Sequence, residues 1–119
     1  MSKETYQMVF DSDVADLIGK IKIVDVRPDS YYVEGHIPTA INVPFDEIAT
    51  EDGDLDENIV KAFEDAGISP DEEFVVACQV GYHSKLASDA LYDAGYKNLR
   101  FYPGSYEDWI LNPDHPIEK

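Results

Sequence analysis

The sequence predicts an α/β fold, a single domain with a mostly parallel central sheet and helices on both faces. Two observations lead there. Short runs of apolar and β-branched residues recur at 21–26, 40–43, 74–77 and 98–102. Each is too short for a stable helix and reads as a buried strand. Between them lie segments whose apolar residues repeat with helical spacing and stop at a glycine, as at Gly19, Gly67 and Gly95. Strands that alternate with helices require crossovers, and right-handed crossovers cover both faces of a parallel sheet.

Taken in order, residues 6–10 are expected to give a short lead-in strand. Asp11-Ser12-Asp13 supplies an N-cap, and Val14, Leu17 and Ile18 line a helix ending at Gly19. Ile21, Ile23, Val24 and Val26 make the first core strand, which Pro28 breaks. One helical turn is expected at 29–34, carrying Tyr31 and Tyr32, then a second strand at 40–43 between prolines and a brief helix at 45–49. Leu55, Ile59, Ala62, Phe63 and Ala66 fall on one face of an amphipathic helix. After the strand at 74–77, Leu86, Ala87, Ala90 and Leu91 mark the inner face of another helix. A last strand follows at 98–102, and then a short helix that Trp109 anchors in the core.

Composition narrows the possibilities. The 119 residues suffice for one domain, 1–119, with its own core, and 44% hydrophobic content argues against disorder. No long apolar run occurs in residues 1–20, so neither a signal peptide nor a membrane span is expected there. One cysteine excludes an internal disulfide and fits a reducing, cytoplasmic setting. With 25 acidic and 9 basic residues the formal net charge is −16. Such a surface repels nucleic acid and anionic lipid, so no nucleic-acid or membrane partner is expected. It serves either solubility or a basic protein partner.

The chemistry concentrates around Cys78. This residue ends the strand at 74–77 and opens a short loop, Gln79-Val80-Gly81-Tyr82-His83-Ser84, which runs into the next helix. Sites in open α/β sheets lie at such carboxyl ends. The first N–H groups of a helix lack internal partners, and the helix dipole adds positive potential there. A tight turn of successive amides forms a nest for an anion. A cysteine sulfur at its centre is favoured as thiolate, the nucleophilic form. The competing reading is a small buried hydrophobe at the end of a strand.

Three stretches together resemble the rhodanese-like sulfurtransferases. The six-residue loop that Cys78 opens is similar to that family's active-site loop. Asp25-Val26-Arg27, with Tyr32, Glu34 and Gly35-His36-Ile37-Pro38, is similar to its N-terminal motif. Gly104-Ser105-Tyr106-Glu107-Asp108-Trp109 is similar to its C-terminal motif, with Ser105 replacing a glycine; Thr39 replaces another. Both replacements are expected to be harmless, on ordinary backbone dihedrals. The likeness spans about residues 23–109, leaving a short lead-in and a C-terminal tail.

The resemblance implies a sulfurtransferase in which Cys78 carries a persulfide and the amides from Gln79 to Ser84 cradle it, with no cofactor. The donor would be a persulfide or thiosulfate, and the acceptor a thiol, a protein or cyanide. Asp25, Arg27 and His36 are supporting residues: Asp25 and Arg27 as a charge-assisted pair, His36 as a loop hydrogen-bonding group. Many relatives carry Arg where this chain has His83. Histidine is only partly charged near neutral pH and is no bidentate fork, which disfavours thiosulfate. His83 either assists the sulfur or merely starts the helix.

Metal ligation is not expected, because the histidines at 36, 83 and 115 have no ligand spacing with Cys78. A phosphatase or arsenate reductase would need a longer loop ending in Arg, and none lies between Lys61 and Arg100. A non-catalytic binding module is the rival from another class.

Overall fold

The computed structural model describes residues 6–119; residues 1–5, the first part of the 1–20 stretch expected to hold no signal peptide or membrane span, lie outside them. Eleven elements follow in order: β1 (Gln7–Met8), α1 (Asp11–Leu17), β2 (Lys22–Asp25), α2 (Asp29–Tyr32), β3 (Ile41–Asn42), α3 (Phe45–Ala49), α4 (Leu55–Asp65), β4 (Phe74–Ala77), α5 (Tyr82–Asp93), β5 (Leu99–Phe101) and α6 (Ser105–Trp109). The strands form one sheet in the order β1-β5-β4-β2-β3, with every pairing parallel. β4 is therefore central, and its four residues are all buried.

The pleat of β4 divides the core. Phe74 and Val76 turn to the face covered by α3, α4 and α5, where they join Phe45, Ile59, Phe63 and Leu91. Val75 and Ala77 turn to the other face, with Val14, Tyr102 and Trp109. Continuing that alternation by one residue directs Cys78 to the α5 side, at the carboxyl end of the sheet.

Three details differ from the sequence reading. The N-cap of α1 is Phe10, whose amide donates to the Asp13 carboxylate at 2.8 Å, so the acidic residues lie inside the helix. Leu55 and Leu86 are exposed at 37% and 38%. On α5 the expected Ala87, Ala90 and Leu91 are buried, and Ser84 and Ser88 join them in place of Leu86, because small side chains let this helix approach the sheet beside the loop. Thr39 and Ser105 do not have ordinary dihedrals: their φ angles are 72° and 59°, the left-handed region that glycine occupies freely. Both positions are supported by hydrogen bonds. The Thr39 amide donates to the Glu118 carboxylate at 2.8 Å, and the Ser105 hydroxyl donates to the Tyr102 carbonyl at 2.9 Å.

Candidate active site

Cys78 is 4% exposed, yet its sulfur is not surrounded by aliphatic groups alone. The Gly81 amide donates to Sγ at 3.0 Å and the Ser84 amide at 3.4 Å. The Ser84 hydroxyl lies 3.1 Å from Sγ and that of Ser105 3.9 Å away. When the sulfur is anionic it can only accept, so the Ser84 hydroxyl becomes a donor. Two amides and a hydroxyl then converge on one atom at the mouth of the twelve-residue helix α5, where the dipole adds to their effect. Of the loop amides expected to ring the sulfur, Gly81 and Ser84 point at it in this state.

Gly81 is required twice over. Its φ is 96°, and a Cβ there would meet the Pro103 carbonyl oxygen at 2.4 Å. That close approach belongs to a platform formed by residues 102–107. The Ser105 hydroxyl accepts from the Cys78 amide at 3.1 Å. The Tyr106 amide donates to the Cys78 carbonyl at 2.9 Å, and that of Glu107 to the Gln79 carbonyl at 3.0 Å. Both backbone polar groups of Cys78 are thus fixed by one turn, which leaves the side chain no freedom to swing with its peptide. The Tyr102 hydroxyl donates to Asp108 at 2.6 Å and closes the platform. Burial, then the neighbouring Asp108 carboxylate, hold that phenol far above its ordinary pKa, so it stays a donor.

Asp25 and Arg27 leave the end of β2 and are 5% and 3% exposed. Arg27 Nε donates to both Asp25 oxygens at 3.1 and 3.0 Å, and Nη2 to Oδ2 at 2.8 Å. Nη2 also reaches the Gly35 carbonyl at 2.6 Å, and Nη1 the Gln79 side-chain oxygen at 3.3 Å. The Tyr106 ring covers the guanidinium at 4.0 Å. Arg27 is therefore a strut between the 25–35 segment and the Cys78 loop.

His36 lies outside the cavity over Cys78. It stacks on Tyr32 at 3.8 Å, contacts the Tyr32 carbonyl through Nδ1 at 2.8 Å, and pairs through its backbone with Glu118. The cavity itself has a volume of about 330 Å³ and is walled by Arg27, Pro28, Tyr31, Val80, Tyr82 and His83, with Cys78 and Gln79 below. His83 lies flat on the Phe45 ring at 4.6 Å. Tyr31, Phe45 and the Ser105 platform were not legible as site components, because each is brought in from a distant element. Among the described residues no cluster of His, Cys, Asp or Glu could hold a metal ion.

Comparison with known proteins places the chain in a family. The family model for the rhodanese-like domain matches residues 10–112. A Saccharopolyspora erythraea protein provisionally named thiosulfate sulfurtransferase is 32% identical over 92% of this chain and 46% of its own length. The Saccharomyces cerevisiae adenylyltransferase and sulfurtransferase UBA4 is 30% identical over the whole of this chain and 26% of its own. The chain thus spans less than half the length of these curated relatives. Among solved structures, the rhodanese-related protein of Thermoplasma volcanium superposes with a TM-score of 0.72 at 22% identity, covering 95% of this chain and 98% of that one. The human single-domain sulfurtransferase TSTD1 gives 0.68 at 24%, covering 88% and 96%. With the match running from just before α1 to beyond α6, through all three motifs, the chain belongs to the rhodanese-like domain family.

Proposed function

We propose that the protein is a sulfurtransferase that relays a sulfane sulfur through Cys78. The observation that carries this reading is the convergence of the Gly81 amide, the Ser84 amide and the Ser84 hydroxyl on one sulfur. Donors placed there can hydrogen-bond an anionic sulfur during transfer, and then the persulfide anion that replaces it. In the first half-reaction Cys78 Sγ attacks the outer sulfur of a persulfide or of thiosulfate. A new S–S bond forms, the donor's own bond to that sulfur breaks, and its electron pair leaves with the thiol or sulfite. In the second, a thiol, a protein thiol or cyanide removes the outer sulfur and the Cys78 thiolate returns.

The cycle is ping-pong and needs no cofactor. These 119 residues hold one cysteine, so they supply no second thiol to take the sulfur from Cys78. The loop from Gln79 to Ser84 serves as the anion cradle, Asp25 and Arg27 brace it through Gln79, and His36 supports the 35–39 loop from outside. A reducing, cytoplasmic compartment suits a free thiolate. A phosphatase reading lacks support, since the one arginine at the cavity is already committed to Asp25, Gly35 and Gln79.

Mass spectrometry tests the relay. Incubation with a sulfane donor should add one sulfur atom to the protein, and cyanide should remove it. Cys78→Ser should show neither change; turnover by that variant overturns the proposal.

A further inference from the structure

We infer that the mouth above Cys78 selects sulfur donors that carry a small apolar or aromatic body and at most one negative charge, in preference to the thiosulfate dianion. This deepens, and rests on, the sulfurtransferase reading.

Two features of the mouth support it. The first is the state of its cations. Arg27 and His83 are the cavity residues that can be positively charged. Arg27 is 3% exposed and already engages Asp25, Gly35 and Gln79 under the Tyr106 ring, so a substrate dianion meets no uncommitted guanidinium. His83 is packed face to face on Phe45. Beyond the mouth the chain is strongly acidic, with a net charge of −16. A dianion must therefore leave water for a site that offers it few charge partners.

The second feature is the wall. Tyr31, Val80 and Tyr82 are 53%, 58% and 68% exposed beside a reacting sulfur, and Pro28 completes an apolar rim. Exposed aromatic groups at the entrance of a 330 Å³ cavity offer an organic substituent a surface to bury against. The chemistry balances with such donors. With an organic thiosulfonate, Cys78 thiolate takes the outer sulfur and the electron pair leaves on an organic sulfinate. With an organic persulfide, the pair leaves on a thiolate that takes up the persulfide's proton.

Benzenethiosulfonate, methanethiosulfonate and thiosulfate provide the test, with cyanide as acceptor and each kcat/KM normalised to the uncatalysed reaction of that donor with cyanide. The first two carry the same charge and differ in the apolar body. We expect the phenyl donor to exceed the methyl donor by about tenfold, and to exceed thiosulfate. Tyr82→Ala and Tyr31→Ala should each bring the phenyl-to-methyl ratio several-fold closer to one. His83→Arg should shift the thiosulfate-to-phenyl ratio toward thiosulfate by adding a cation at the mouth. Equal normalised values for the phenyl and methyl donors, or thiosulfate as the best of the three, overturn the inference while leaving the sulfur relay intact. Failure of every donor to load Cys78 overturns the sulfurtransferase reading, and the selectivity with it.

Discussion

Ser105 shows how much one side chain can tie together. Its backbone sits at φ 59°, a conformation costing a non-glycine residue about 1 kcal/mol or more. The hydroxyl offsets that cost by accepting from the Cys78 amide and donating to the Tyr102 carbonyl. Losing either partner in a fully buried position costs about 1–3 kcal/mol. Ser105→Ala keeps the strain and loses both bonds, whereas Ser105→Gly loses the bonds but relieves the strain. Urea unfolding should therefore rank the stabilities wild type, then glycine variant, then alanine variant, with about 1 kcal/mol between the last two. An alanine variant as stable as the glycine variant would show that the backbone there is not strained. Ser84 has a different task, since its buried hydroxyl faces the sulfur itself. Ser84→Ala should lower kcat/KM for sulfur transfer by about tenfold to a hundredfold with little loss of stability, as expected for one removed anion donor. Unchanged kinetics would remove the hydroxyl from the cradle.

At the scale of elements, α5 does two jobs, one with its first turn and one with its exposed side. Its first turn faces the sulfur, while its exposed side fastens the chain just before β1. Tyr6 donates its hydroxyl to Asp89, and Lys85 pairs with the same carboxylate at 2.8 Å. Burial pushes the Asp89 carboxyl up, but the hydrogen bonds from Lys85 and Tyr6 outweigh it and leave its pKa below the usual carboxylate value. A depressed carboxylate contributes stability above its unfolded pKa and loses it as pH falls through the folded value. Asp89→Asn should therefore destabilise the protein at neutral pH by no more than about 1 kcal/mol, because the pair is half exposed. The gap from wild type should close from about pH 4 downward. Denaturant midpoints measured across that range check it; a gap independent of pH would assign the effect to packing.

At the scale of the molecule, a net charge of −16 on 119 residues sets the background for every local interaction. Like charges repel in the compact state, and salt screens them over about 8–10 Å at ~0.1 M. Raising sodium chloride from about 0.05 to 0.5 M should thus raise Tm by several degrees. A Tm that falls with salt would mean that exposed attractive pairs such as Lys85–Asp89 outweigh the repulsion.

The order of strands and helices, the Cys78 loop and the spacing of its flanking motifs were legible because each is encoded over a few consecutive residues, by apolar period and glycine stops. Tertiary structure alone decided what stands around the sulfur. The Ser105 hydroxyl comes from 27 residues away and the Arg27 strut reaches Gln79 across 52. The apolar face read for α5 included Leu86, whereas packing against the sheet buried Ser84 and Ser88 instead. The left-handed backbone at Thr39 and Ser105 was likewise hidden, since its supporting partners lie far along the chain. Local sequence records the preferences of single segments; which polar groups meet depends on how those segments pack.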